Sequence, residues 1–457
     1  MPRLHPITSL ALAATLAGCT ALLPSETPSP ASSVAPSLEP TVVQPTPAVD
    51  SPPALVSAAS TATPTFQPPT ATASPTQSLP TPAPTPVVGD LDLSWLPDAP
   101  RRTSTIDWQS VDVTGLGDAG VLNGVVRFGG LLVLTGAIGS PEYEPATPAA
   151  WTSTNGRDWV AADVNVNAAD LDDTLGASMG QAVVAGPGLV SVGAQFAVVS
   201  ADGRSWDAIH DDDITGWWLG GLVAANGIIV CSGFNFGPTD EYGLFRSEDG
   251  EHWDRITGVT AQHLAKGLMN LTEIDGAFVA FVAENGDPYG ANRIEIWRSG
   301  DGTNWTHVSD MPDSAETEGI AIVQGQDKFV AVSGHDLFAG YAKEVAMAWS
   351  SADGFNWART PGAPWGPYDL LGVGSGFVGV GGRFPTEGTG IQYEDAVTGE
   401  SWTSADGENW QKVRQPGEGR EIDLLLPLGD YIAGYGLDFN RSPNAAMWIT
   451  PTPDFSR

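Results

Sequence analysis

The sequence predicts an all-β protein: a seven-bladed β-propeller with its last blade closed by both termini, preceded by a signal peptide and a disordered linker rich in Pro, Ser and Thr. Three observations predict the ring. A short box recurs six times, an apolar run recurs seven times, and the box missing from the seventh copy is found in two halves at the ends of the domain. A repeat of roughly 50 residues of strand-rich sequence is the length a four-stranded blade needs.

The box is an apolar or aromatic residue, then Ser, any residue, Asp or Asn, Gly, two residues and Trp, and the Ser-to-Trp interval is six in every copy. The copies are Ser153-Thr-Asn155-Gly156-Arg-Asp-Trp159, Ser200-Ala-Asp202-Gly203-Arg-Ser-Trp206, Ser247-Glu-Asp249-Gly250-Glu-His-Trp253, Ser299-Gly-Asp301-Gly302-Thr-Asn-Trp305, Ser351-Ala-Asp353-Gly354-Phe-Asn-Trp357 and Ser404-Ala-Asp406-Gly407-Glu-Asn-Trp410. Asp-Gly and Asn-Gly favour a tight turn because Gly tolerates positive φ, while Ser and Asp side chains bond nearby amides and hold the turn closed. Asn155, Asp202, Asp249, Asp301, Asp353 and Asp406 are therefore read as structural. Flanking aromatics such as Trp349 and Trp357 fall on the strands entering and leaving the turn, where an indole fills the gap between twisted blades.

Upstream of the boxes lie Leu131–Gly136, Leu189–Gly193, Ile228–Gly233, Phe278–Val282, Phe329–Gly334, Phe377–Gly381 and Tyr431–Gly434. Apolar and β-branched runs bounded by Gly suit strands buried on both faces. Seven runs against six boxes imply one split blade. Met447-Trp448-Ile449-Thr450 matches the first half of a box, and Ile106-Asp107-Trp108-Gln109 matches the strand after one. Their pairing would complete the seventh blade and remove the exposed edges of an open ring.

The boxes resemble the Asp-box (BNR) repeats of sialidases and related propellers over Asp107 to Thr450, although here Gly follows Asp directly, one residue sooner than is usual. The resemblance implies a strand-turn-strand on the face away from the active site. For a sialidase it implies three arginines gripping a substrate carboxylate, a Tyr nucleophile activated by Glu, and an Asp acid/base. Arg293, Arg383, Arg420 and Arg441 fall on loops of the expected face. The early Phe-Arg-Ile-Pro motif is absent, Arg383-Phe384-Pro385 matches it poorly, and known sialidases have six blades rather than seven.

Residues 1–18 read as a signal peptide, with Arg3 before the apolar stretch Ile7–Leu16. Leu16-Ala17-Gly18-Cys19 resembles the lipobox of bacterial lipoproteins, which implies a diacylglycerol on Cys19 and an extracytoplasmic, membrane-anchored protein. Residues 19–92 form a Pro/Ser/Thr/Ala tether without Lys or Arg, an extended spacer reaching at most roughly 200 Å at about 3.1 Å per residue. Its composition also permits O-glycosylation. Residues 93–457 are the propeller, long enough for its own core without disulfides. Cys231, inside an apolar run, reads as a buried inert thiol.

With 54 acidic residues against 20 basic, the net charge of −34 excludes a nucleic-acid partner, which needs clustered cations. No cofactor is expected. Asp170-Leu-Asp172-Asp173 and Asp211-Asp212-Asp213 offer oxygens to Ca²⁺, without the spacing of a Ca²⁺ loop. The six histidines, at 5, 210, 252, 263, 307 and 335, show no metal-ligand spacing. There is no Gly-x-Ser-x-Gly elbow, and glycine runs such as Gly372–Gly376 sit at strand turns.

The face opposite the boxes is where a partner is expected. Connections between second and third strands carry Tyr143, Tyr242, Tyr289, Tyr341 and Tyr393, and those between blades carry Trp217, Trp218, Trp365 and Tyr368, so six of the eight tyrosines gather there. Tyr and Trp offer a flat apolar face and a polar edge at low entropic cost. Trp217, Trp218, Trp365, Tyr368, Tyr393, Arg383 and Arg420 are the candidate ligand-binding residues. The expected role is non-catalytic binding of a cell-surface glycan or protein by a monomer. The alternatives are a sialidase-type exo-glycoside hydrolase and a scaffold for an envelope assembly.

Overall fold

A computed structural model describes residues 90–456 apart from 99–102, 118, 140–145, 167–176, 186–187, 194, 236–239, 288–290, 316, 335–346, 361–368, 384–397, 414–415, 418 and 441–444. Strand β1 (Gln109–Val111) comes first in the chain and belongs to the last blade. Blade 1 is β2 (Ala119–Phe128), β3 (Leu131–Ile138), β4 (Thr147–Ser153) and β5 (Val160–Ala161). Blade 2 is β7 (Val183–Ala185), β8 (Gly188–Gly193), β9 (Phe196–Ser200) and β10 (Ser205–Ile209), with β6 (Asp163–Asn165) added in parallel outside β10. Blade 3 is β11 (Trp218–Ala225), β12 (Ile228–Asn235), β13 (Glu241–Ser247) and β14 (Trp253–Ile256).

Helix α1 (Val259–Gly267) connects blade 3 to blade 4, which is β15 (Leu268–Ile274), β16 (Ala277–Ala283), β17 (Ile294–Ser299) and β18 (Thr306–Met311). Blade 5 is β19 (Glu318–Gln324), β20 (Phe329–Gly334), β21 (Ala348–Ser351) and β22 (Trp357–Arg359). Blade 6 is β23 (Asp369–Val373), β24 (Gly376–Arg383), β25 (Thr398–Ser404) and β26 (Trp410–Val413). Blade 7 is β27 (Arg420–Leu428), β28 (Tyr431–Asp438) and β29 (Ala445–Pro451), completed by β1.

The split blade closes as the two half-boxes predict. β1 pairs antiparallel with β29 in the register Gln109–Ile449, Ser110–Trp448, Val111–Met447. Thr450 takes the place of the box serine, its Oγ1 accepting the Asp107 N–H at 3.0 Å. Trp108 Nε1 donates to the Ser401 hydroxyl of blade 6 at 2.9 Å in a buried bond.

All seven apolar runs are second strands, held between an innermost and a third strand, and β16 and β28 are buried at every position. The innermost strands show mixed exposure because one edge lines the central channel, as in β2. Five of them, β2, β11, β15, β19 and β27, carry a register shift against the second strand, which increases local twist. The core lies between blades. Between blades 7 and 1, Leu122, Leu132 and Trp151 meet Leu424, Tyr435 and Met447, each fully buried side chain of this kind contributing roughly 1.5 to 3 kcal/mol.

Residues 90–98 lie on the box face. Asp92 N donates to Thr154 O and Trp95 Nε1 to Asn155 O, each at 2.9 Å, and the Tyr431 hydroxyl donates to Asp98 O at 3.2 Å. Cys19, the signal and the tether up to residue 89 lie outside the described residues, and residues 90–92, read as the end of the tether, belong to this strap.

Candidate functional site

The box turns supply rigidity, and their bonding explains each residue type. In the fifth box the Ser351 hydroxyl accepts the N–H groups of Asp353 and Gly354, and Asp353 Oδ1 accepts those of Phe355 and Asn356 at 2.9 and 2.7 Å. Led by the Asn356 N–H, these bonds pull the Asp353 carboxyl down to about 2. In five boxes the Trp indole N–H donates to the glycine carbonyl. In the first box the Tyr435 hydroxyl of blade 7 takes the Gly156 carbonyl at 2.7 Å instead, and Trp159 Nε1 is left without a partner.

The box glycines have φ between 72° and 80°, a region open to Gly at no steric cost. Each also wedges against the preceding blade. A Cβ on Gly407 would stand 2.4 Å from Val330 Cγ2, one on Gly302 2.6 Å from Val230 Cγ2 and one on Gly203 2.7 Å from Val133 Cγ2.

On the opposite face the structure separates the two adjacent tryptophans. Trp217 is 6% exposed, packed edge-on against Phe245 at 5.0 Å beneath the Arg255 guanidinium at 4.5 Å. It is a packing residue between blades 2 and 3, which corrects its reading as a ligand platform. Trp218, one residue on, turns to the other side of blade 3 and is half-buried. It stands directly opposite Phe234, which stands directly opposite Tyr242. Directly opposed residues on antiparallel strands share a face, so three aromatics form a row from the innermost strand outward.

The Phe234 and Tyr242 rings are 4.9 Å apart. Desolvation, then the charges of Asp240 and Asp287, push the Tyr242 hydroxyl above its ordinary range. Glu241, beside it, pairs with Arg255 at 3.1 Å.

The other candidates are placed as follows. Trp365, Tyr368 and Tyr393 lie outside the described residues, as do Tyr143, Tyr289, Tyr341 and Arg441. Arg383 ends β24, its backbone paired with Thr398. Arg420 opens β27, with Nε bonded to Asp438 Oδ2 at 3.1 Å and Nη1 to the Pro416 carbonyl at 3.0 Å. Arg293 contacts three carboxylates, Glu284, Glu295 and Asp310, at 3.2 to 3.4 Å. Two of the four arginines considered for gripping a substrate carboxylate are thus already matched with acids of the protein. Asp211 and Asp213 accept the Trp253 and Arg255 N–H groups of β14, capping an exposed edge, and Asp170–Asp173 lies outside the described residues.

Sequence reasoning missed the acids of the innermost strands. Glu421 and Asp423 are 1% and 0% exposed, and neither has a hydrogen-bond partner for either oxygen. Burial pushes both carboxyls up, and the Glu421 charge raises Asp423 further. Asp369, at the start of β23, bridges to the neighbouring blade, its Oδ2 accepting the Leu425 N–H at 2.7 Å. Burial pushes its carboxyl up to about 7 against the opposing pull of the Leu425 and Leu370 N–H groups. Asn123 to the Met179 carbonyl and Asn270 to the Ile320 carbonyl are comparable bridges between blades. The buried thiol of Cys231 is likewise pushed up by desolvation, which makes it unreactive.

No family model and no curated protein matches the chain. Several solved structures align with it at low identity. The polysaccharide lyase Uly1 aligns with a TM-score of 0.43 and 10% identity over 78% of this chain and 93% of that one. An α-L-arabinofuranosidase from Fusarium graminearum aligns with a TM-score of 0.36 and 11% identity over 72% and 92%. A GH43 β-1,3-galactosidase aligns with a TM-score of 0.33 and 15% identity over 53% of this chain, which spans 58% of that enzyme's length.

Proposed function

We propose that this is a non-catalytic binding propeller that takes a neutral glycan on the face opposite the box turns, anchored outside the cell through a lipid on Cys19. The observation that carries the reading is the half-buried pair Trp218 and Tyr242 at the two ends of a row whose middle member, Phe234, is buried and supports them, with Asp240, Glu241 and Asp287 beside Tyr242. Sugar rings stack on such aromatics while carboxylates accept their hydroxyls. A net charge of −34 repels anionic glycans, so a neutral ligand suits it better than a sialylated one. Trp218→Ala and Tyr242→Ala are each expected to weaken binding to a glycan-array ligand by at least about 1 kcal/mol, roughly fivefold, with the native circular dichroism spectrum retained at the assay temperature. Asp353→Ala should do the reverse, costing about 1 to 2 kcal/mol of stability with affinity unchanged. Binding losses that map to the box turns or blade flanks instead would overturn the assignment.

One observation favours a hydrolase as the second reading. Asp369 is held near neutrality by burial, as a general acid requires. Both of its oxygens are already engaged by backbone N–H groups, Oδ1 by Leu370 and Oδ2 by Leu425, which argues against a role in contact with substrate. Turnover of a fluorogenic glycoside, lost in Asp369→Asn, would select the hydrolase. The anchor has a separate test. Cys19→Ser is expected to abolish incorporation of labelled fatty acid and leave unprocessed precursor, and undiminished labelling would sink it.

A further inference from the structure

Blade 4 departs from its neighbours at one repeated position. Two residues before the box serine, Trp151, Val198, Phe245, Trp349 and Trp402 are all buried, as is Trp448 before Thr450, whereas Trp297 is only half-buried. Around its indole the fold gathers polar groups from three elements. His263 of α1 and His307 of β18 meet the ring edge-on at 5.9 and 5.3 Å. Glu295, on the same face of β17, accepts the Trp297 Nε1–H at 3.0 Å and lies 2.8 Å from His263 Nε2, both through Oε2. His307 Nε2 lies 2.9 Å from Asp310 Oδ1. One ligand atom each from Glu295, His307 and Asp310 lie within 4.8 Å of one another.

We infer that Glu295, His307 and Asp310 form a binding site for a divalent transition-metal ion of the Zn²⁺ class. An imidazole nitrogen with two carboxylate oxygens is a donor set for Zn²⁺ and its neighbours rather than for Ca²⁺ or Mg²⁺, which take oxygen alone. Bonds of about 2.0 to 2.1 Å in a tetrahedron separate ligand atoms by roughly 3.3 Å, so the His307–Asp310 pair opens by a few tenths of an ångström while the separations to Glu295, all within 4.8 Å, close by side-chain rotation. Supporting contacts are present. Arg293 reaches the other oxygen of Asp310 at 3.3 Å and Glu295 Oε1 at 3.4 Å, and His263 holds Glu295 Oε2, orienting both carboxylates as outer-shell partners do.

The charge also fits. Glu284, Glu295 and Asp310 set against Arg293 leave two negative charges, which one dication neutralises. Three protein ligands leave a fourth position for water.

The test uses the untagged full chain, dialysed against Zn²⁺ or Ca²⁺ at neutral pH and assayed for bound metal by mass spectrometry. One Zn²⁺ per chain and a raised melting temperature are expected with Zn²⁺, and neither with Ca²⁺. His307→Ala and Asp310→Asn should each lose at least tenfold in Zn²⁺ affinity. His263→Ala, a positioning change, should lose roughly tenfold and keep the stoichiometry. A Co²⁺-loaded wild-type chain should show visible ligand-field absorption that His307→Asn lacks, a readout available even if the alanine variant folds poorly. No stoichiometric Zn²⁺, or equal retention by His307→Asn with native circular dichroism, would mean that the cluster is only an ion-pair network and would overturn the site.

Discussion

Deleting residues 448–457 is expected to prevent the ring from forming, although the segment is only the last stretch of the chain. It removes Trp448, Ile449 and Thr450, which are 2%, 3% and 0% exposed, and leaves Gln109 and Ser110 of β1 without their partners. Two large buried side chains at about 3 to 5 kcal/mol for Trp and 2 to 5 for Ile, with the lost pairing, approach the whole net stability of a domain. The check is chemical denaturation followed by circular dichroism, and a truncated chain with native melting would contradict the two-ended seventh blade. A milder relative of the same experiment is Trp108→Phe. It deletes the buried bond to Ser401 and should cost about 1 to 2 kcal/mol.

Glu421→Gln is expected to stabilise the protein above neutral pH. The buried carboxyl has no hydrogen-bond partner to compensate a charge, so its folded-state value is raised. Stability from such a group is full below its unfolded value and is lost as pH rises through the folded one. Asp369 behaves in the same direction, its contribution fading between its ordinary 3.8 and about 7. The box carboxylates have the opposite sign. Asp353, lowered to about 2, contributes above its ordinary 3.8 and loses that contribution as pH falls through about 2. Together these groups favour a melting maximum at mildly acidic pH. Glu421→Gln should gain roughly 2 to 4 kcal/mol at pH about 8 and little at pH about 4. A variant destabilised equally at both would show that the carboxylate is compensated in the native state.

The ring was legible because its determinants are local. Asp-Gly turns, box indoles and Gly-bounded runs each lie within a few residues, so their repetition displays the blades, and the half-boxes at Trp108 and Trp448 display the closure. The innermost strands were harder to read. Their channel edge and register shifts blur the alternation, and Glu421 and Asp423 pass there as ordinary polar residues of a strand that is in fact enclosed. Trp217 and Trp218 illustrate the limit differently. Both fall on the predicted face, but the pleat sends one into the packing against Phe245 and the other into the row with Phe234. His263, Glu295, His307 and Asp310 meet through a helix and two strands, and no spacing along the chain announces that meeting.

The strap of residues 90–98 sets a direction as well as adding contacts. It crosses the box turn at Thr154 and Asn155 before the chain climbs through β1 as an outermost strand. Residue 90 therefore stands on the box side of the ring, and the aromatic row on blade 3 lies at the opposite end of the strands. The two ends of the blades are thus occupied differently, one by the strap and the other by the aromatic row, so a ligand seated on the row need not displace the strap.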